Sequence, residues 1–213
     1  MAVLRVNPTR MELTLMKRRL VTAKRGHKLL KDKRDELVRR FIVLVKENAK
    51  IRKQVEQELG AALQDFALAR AVMEPGALHQ ALLYPAREAA ITMDRRSILS
   101  VRVPVFAMDE ESVSKTVLPY GLADTSAQLD GAIETMAQVL PLLIQLAEIE
   151  KTTGLLADEI QKTRRRVNAL EYVMIPQFEE TIRYITMKLE ENERGALIRL
   201  MKVKEMLEER AAN

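Results

Sequence analysis

The sequence predicts an all-α-dominated protein: a long antiparallel two-helix coiled coil from the N- and C-terminal helices, with a small middle insert containing a short β-hairpin. Three observations predict it. Aromatics make up 4% of the 213 residues, Trp and Cys are absent, and there are only seven Gly and seven Pro, a composition that favours long helices over a thick aromatic core. Apolar residues recur at alternating steps of three and four in two long stretches. Between those stretches lies a short run with a period of two.

The first helix is expected over 9–74. Thr9-Arg10-Met11-Glu12 fits a capping box, in which the Thr hydroxyl and the Glu carboxylate each satisfy a free backbone N–H. The stripe then runs Leu13, Met16, Leu20, Ala23, His27, Leu30, Arg34, Leu37, Phe41, Leu44, Asn48, Ile51, Val55. A further step of four to Leu59 is a stutter, and the stripe continues through Leu63, Phe66, Ala69 and Met73 until Glu74-Pro75-Gly76 stops it. Some 65 residues at about 1.5 Å each make a helix of about 100 Å.

Residues 75–124 form the insert. Leu99, Val101, Val103 and Val105 alternate with Ser100, Arg102 and Pro104, a strand pattern; Ala89–Met93 is the expected partner, turning through Asp94-Arg95-Arg96-Ser97. The hairpin thus falls near 89–105, Pro104 marks an edge strand, and Asp109-Glu110-Glu111-Ser112 reads as a polar loop.

The second long helix is expected over 125–210, opened by a second capping box at Thr125-Ser126-Ala127-Gln128. Its stripe runs Leu129, Ile133, Met136, Leu140, Leu143, Leu146, Ile149, Thr153, Leu156, Ile160, Thr163, Val167, Leu170, Met174, then Phe178, Ile182, Ile185, Leu189, Asn192, Ala196, Leu200, Val203, Leu207. Pro141 and Pro176 should each kink it, because each removes a backbone donor and crowds the preceding turn. The simplest partner for each stripe is the other. The expected register places residue 10 near 207, Phe41 near Pro176 and Met73 near Ile144, and sets Lys24–Arg34 against Glu190, Glu191 and Glu193.

Composition and motifs exclude several chemistries. Without Cys there are no disulfides, thiolate metal sites or thiol nucleophiles. His27 and His79 are too far apart for a helical zinc pair, so no metal is expected. There is no Gly-rich phosphate loop, no catalytic constellation and no cofactor site; paired carboxylates such as Glu179-Glu180 are helix-surface neighbours. No uncharged apolar run approaches the roughly 20 residues of a membrane span. Met1 opens a polar, charged segment without a signal core, so the expectation is a soluble, cytoplasmic protein.

Charge is unevenly spread: residues 1–40 carry a net +9, residues 56–160 a net −9. Basic zones seek nucleic acid, anionic lipid or an acidic protein surface. Aromatic platforms for bases are missing around them, which weakens the nucleic-acid reading. Arg164-Arg165-Arg166 spread around the helix, and they read either as a solvated turn or as a collar touching acidic groups of a surrounding protein. His27, Asn48 and Asn192 on the seams read as register residues.

The chain resembles the D subunit, the central rotor shaft, of vacuolar/archaeal-type rotary ATPases. The resemblance is carried by Asn7–Leu13, by Arg25–Leu37 (RGHKLLKDKRDEL), by Glu159–Pro176 (EIQKTRRRVNALEYVMIP), by Lys188–Arg194 and by Arg199–Lys204. It implies a non-catalytic shaft whose joined termini enter a hexamer of catalytic A and noncatalytic B subunits. Its middle would meet the small central-stalk F subunit and the subunit that docks on the membrane ring, with no nucleic acid and no direct membrane insertion. Expected hexamer contacts are Arg10, Arg18 and Arg19 near the inserted tip and Arg164, Arg165 and Arg166 in the collar. Leu99, Val101, Val103 and Val105 mark the protruding hairpin. A self-associating coiled-coil scaffold and a basic nucleic-acid-binding rod are the alternatives.

Overall fold

A computed structural model describes residues 4, 6–83, 89–108, 118, 120–121 and 125–212, with side chains to 208. In chain order the elements are α1 (Arg10–Val72), α2 (Pro75–Leu82), β1 (Ile91–Ile98), β2 (Val101–Met108), α3 (Ala127–Ala169), a π turn (Leu170–Met174) and α4 (Ile175–Ala212). The all-α-dominated architecture with one antiparallel hairpin is the expected one. The polar loop expected at Asp109–Ser112 lies outside the described residues.

The helix starts follow from their caps. Thr9 Oγ1 accepts the Glu12 N–H at 3.2 Å, satisfying one orphan donor of the first turn, and the Thr9 carbonyl accepts the Leu13 N–H at 3.0 Å as the first intrahelical bond. At α3 the cap is one residue later than expected. The Ser126 carbonyl accepts the Leu129 N–H at 3.0 Å, while Thr125 Oγ1 donates to the Gly121 carbonyl at 3.3 Å. α1 ends before Glu74-Pro75 as expected, but Pro75 then opens the short helix α2. Proline's fixed φ and missing donor suit the first helical position as well as they stop a preceding helix.

The α-helix runs unbroken through Pro141, whereas Pro176 is preceded by the π turn. Pro176 has no N–H for a carbonyl one turn back, and its ring crowds that turn. Widening the turn relieves both, and the Ile175 N–H reaches the Leu170 carbonyl, five residues back.

The chain forms two compact units. In the unit of residues 1–35 and 161–213, α1 and the α3–α4 segment meet along a narrow row. Met16, Thr163, Val167, Thr181 and Ile185 are fully buried. Thr181 Oγ1 donates to the Gln177 carbonyl at 2.7 Å and accepts the Leu4 N–H at 3.2 Å, so its burial leaves no unpaired hydroxyl. Arg10 pairs with Glu193 and Lys24 with Glu179. These pairs correct the expected register: Arg10 faces Glu193 rather than 207, a displacement of about 14 residues, or two heptads, a slide that keeps the heptad phase. In consequence α4 beyond Glu193 has no α1 partner, and Asn192, Ala196, Leu200, Val203 and Leu207 are exposed rather than on a seam.

In the unit of residues 36–160 there are two buried clusters. One joins Leu37 of α1, Val101 and Val103 of β2 and Leu156 of α3, with Phe41, Leu44 and Leu99 against it. The other joins Ala69 and Met73 of α1, Leu78 and Ala81 of α2 and Leu129 of α3, with Phe66, Tyr120 and Ile133 against it. Ala62, not the expected Leu63, is buried, so the three-four alternation resumes directly after the stutter at Leu59. On α3, Ala132, Val139 and Thr152 are buried in place of the expected Ile133, Leu140 and Thr153, a one-residue offset that the broad apolar face of this helix conceals. By length and composition alone, one helix, from Ala127, includes a stretch long and apolar enough to cross a membrane.

The hairpin register pairs Ile91 with Met108 and Ile98 with Val101. Asp94–Ser97, expected as the turn, belong to β1. The turn is Leu99-Ser100, with φ of 48° and 73°, the left-handed pair a two-residue type I′ hairpin demands. Leu99, expected in the strand, is thus a turn residue held against the Leu37 cluster.

Candidate functional site

Most of the sequence-selected residues are exposed on helices. Arg10 is 82% exposed and its Nη2 lies 2.6 Å from Glu193 Oε1. Arg18 and Arg19, two turns and more into α1, border a shallow groove lined by Ala23, Gly26, Met174 and Phe178. The π turn carries Met174 into that lining, so the widened turn and the two cations belong to one surface. Arg164, Arg165 and Arg166 on α3 are all exposed, at successive 100° steps around the helix, while the neighbouring Thr163 and Val167 are buried. Spacing alone separates the two kinds of residue: the row at Thr163 and Val167 faces inward and leaves three arginines for solvent or a partner.

The seam residues divide. His27 is only 20% exposed, with Nε2 3.4 Å from Glu171 Oε2 on the π turn and without hydrogen-bond geometry. Asn48 is half-buried and Asn192 is exposed. Of the hairpin residues, Val101 and Val103 are buried, Val105 is half-buried and Leu99 occupies the turn. The hairpin is tied to α3 by the Phe106 N–H, which donates to Glu148 Oε2 at 2.9 Å.

Sequence reasoning missed Tyr120 and Asp130. The Tyr120 hydroxyl donates to Asp130 Oδ1 at 2.6 Å beside the Met73–Leu129 cluster. Burial first, then the hydrogen bond and the charge of Asp130, hold the phenol well above its usual range. A tyrosine ten residues before an aspartate near a helix start offers no periodic signal. Among the described residues no group of three His, Asp or Glu side chains is placed to hold a metal. The described residues define a long-helical protein with a small hairpin, its arginines exposed on the helices and its buried residues in narrow rows and clusters.

The family model for the ATP synthase D subunit matches residues 12–205. The V-type ATP synthase D subunit of Clostridium novyi (strain NT) is 59% identical over 210 residues, covering 98% of this chain and 97% of the relative. That of Clostridium botulinum (strain Langeland) is 56% identical over 212 residues, covering 99% and 98%. That of Acetivibrio thermocellus is 56% identical over 214 residues, covering 100% and 96%. The chain belongs to the ATP synthase D-subunit family, on its V-type branch.

Proposed function

We propose that the chain is the central-stalk rotor subunit of a V/A-type ATPase or ATP synthase. It couples ATP hydrolysis or synthesis in an A/B hexamer to rotation of the membrane ring that moves protons or sodium ions. The observation that carries this is the full-length likeness to the V-type ATP synthase D subunit, joined to a fold in which two long helices expose arginines around a buried seam. The chain is non-catalytic in this reading: it binds no cofactor, and its work is mechanical. Its partners are the A and B subunits, the small F subunit and the ring-docking subunit. It resides in the cytoplasm, peripheral to the membrane.

The physical role of the arginines follows from their placement. Arg164, Arg165 and Arg166 point in three directions, so a ring of carboxylates around the helix always finds one of them, whatever the angle of rotation. Arg10, Arg18 and Arg19 extend the same field along α1. Tagged protein isolated from its own cells and weighed by native mass spectrometry tests the reading. One copy with a small partner and three copies each of two large nucleotide-binding subunits is expected. A homodimer, or nucleic acid without such subunits, would replace it with the scaffold or the binding rod. Charge reversal of all three collar arginines is expected to cut ion transport per ATP on the order of tenfold; unchanged coupling removes the collar from the mechanism.

A further inference from the structure

The two outer edges of the hairpin are not alike. In an antiparallel pair, alternate residues bond across to the partner strand and the others point their backbone groups outward. Thr92 Oγ1 donates to the Ala107 carbonyl at 3.2 Å, so that carbonyl faces β1. The two-residue turn closes on the Ile98–Val101 pair. Both observations make Thr92, Asp94, Arg96 and Ile98 the bonded set on β1. The outward set is Ile91, Met93, Arg95 and Ser97 on β1 and Arg102, Pro104, Phe106 and Met108 on β2.

The middle of the outer edge of β2 is blocked. The Phe106 N–H is taken by Glu148, and Pro104 has no donor to offer, which is why a proline is tolerated there. The outer edge of β1 is open. The sheet has two strands and, among the described residues, nothing pairs with that side. Seven of its eight residues are exposed, so the edge stands clear of the helices. It has no proline, and its register with β2 is unbroken by a bulge. Charge is the protection this edge carries, in Asp94, Arg95 and Arg96, and of these Arg95 belongs to the outward set while Ile91 and Met93 beside it are apolar.

The side chains say what would pair. Ile91, Met93 and Arg95 share one face of the sheet with Pro104 and Phe106. Ile91 and Met93 are 51% and 57% exposed. The groove between this face and α3 is lined by Arg95, Arg102 and Lys151 with apolar neighbours, and by no carboxylate among its described residues. We propose that the outer edge of β1 takes an extended strand from a partner protein, one that places a carboxylate opposite Arg95 and apolar side chains opposite Met93 and Ile91. Along an antiparallel strand this reads acidic, any, apolar, any, apolar. The outward N–H and C=O groups supply affinity, and the alternate side chains supply selectivity. The inference does not rest on the rotary reading.

Amide hydrogen exchange tests it, resolved over residues 89–98, in the full-length chain alone and in the assembly purified from its own cells. The Met93 and Arg95 amides are expected to exchange at least tenfold more slowly in the assembly. Met93→Thr and Met93→Pro sharpen the test: both lose the thioether, but only the proline removes an outward donor, and it leaves the bonds to β2 in place. Protection at Arg95 should survive the threonine and vanish with the proline. Equal exchange in the two states overturns the proposal, as do identical effects of the two variants. Protection that the isolated chain acquires with rising concentration also overturns it, because a second copy would then be the strand. The readout is at backbone amides, so loss of the coupling role would leave this result standing, and the reverse.

Discussion

The two units hold their long helices together by different means. In the unit of residues 1–35 and 161–213, a pair of helices shares one row of buried side chains, and exposed ion pairs flank it. In the unit of residues 36–160, a hairpin and a short helix add a third element at each of two clusters. A helix in a two-helix coil buries one stripe; further apolar surface needs a further partner. The second unit supplies that partner from its own chain. The first does not, and the last two turns of α4 and more are left with Leu197, Ile198, Leu200 and Met201 between 57% and 66% exposed. The difference separates apolar residues buried within the chain from apolar residues left exposed on it.

Substitutions break or sharpen that contrast. Leu37→Ala empties the centre of the hairpin cluster, where Leu37 has no exposed surface, and should cost about 3–4 kcal/mol in urea unfolding of the isolated chain. Leu200→Ala, the same chemistry at an exposed position of α4, should stay within about 0.5 kcal/mol. Equal costs would erase the distinction between the units.

Tyr120→Phe should cost about 1–2 kcal/mol by removing the bond to Asp130. It also changes the pH dependence. The folded phenol holds its proton more tightly than the unfolded one, whose value is about 10.0, so its contribution is complete below pH 10 and declines as pH rises above it. Melting curves across the alkaline range should show a decline in the wild type that the phenylalanine variant lacks.

Ser100→Gly should stabilise the hairpin by about 1 kcal/mol, because the left-handed turn costs a residue with a Cβ roughly that much; a raised melting temperature checks it. Arg10→Ala, which removes a pair exposed on both sides, should change stability by less than about 1 kcal/mol.

Much of this contrast was legible in the sequence, and the gaps have physical causes. The three-four alternation located Met16, Leu37, Val55, Ala69, Met73, Leu156, Val167 and Ile185, all buried. It could not fix the register, because a heptad pattern is unchanged by a slide of two heptads; contacts such as the Arg10–Glu193 and Lys24–Glu179 pairs decide that. The valines of β2 located the hairpin and its buried face. Its turn was misplaced because Asp94-Arg95-Arg96-Ser97 has turn-like composition, whereas Leu99-Ser100 lacks the Asn or Gly that advertises a left-handed turn. Of the candidate contacts, the exposure of the arginines followed from spacing, since the buried row at Thr163 and Val167 leaves 164–166 outside. The open β1 edge depends on which backbone groups face out, which side-chain patterns do not encode.

Rotation itself is the most direct measurement. The chain has no cysteine, so Glu74→Cys, at an exposed position between α1 and α2, gives it one attachment point for a probe. With the A/B subunits of the purified assembly immobilised, ATP should drive the probe in one direction with three dwells per turn. A probe that stays still, or only diffuses, while the same complexes hydrolyse ATP would contradict the rotor account.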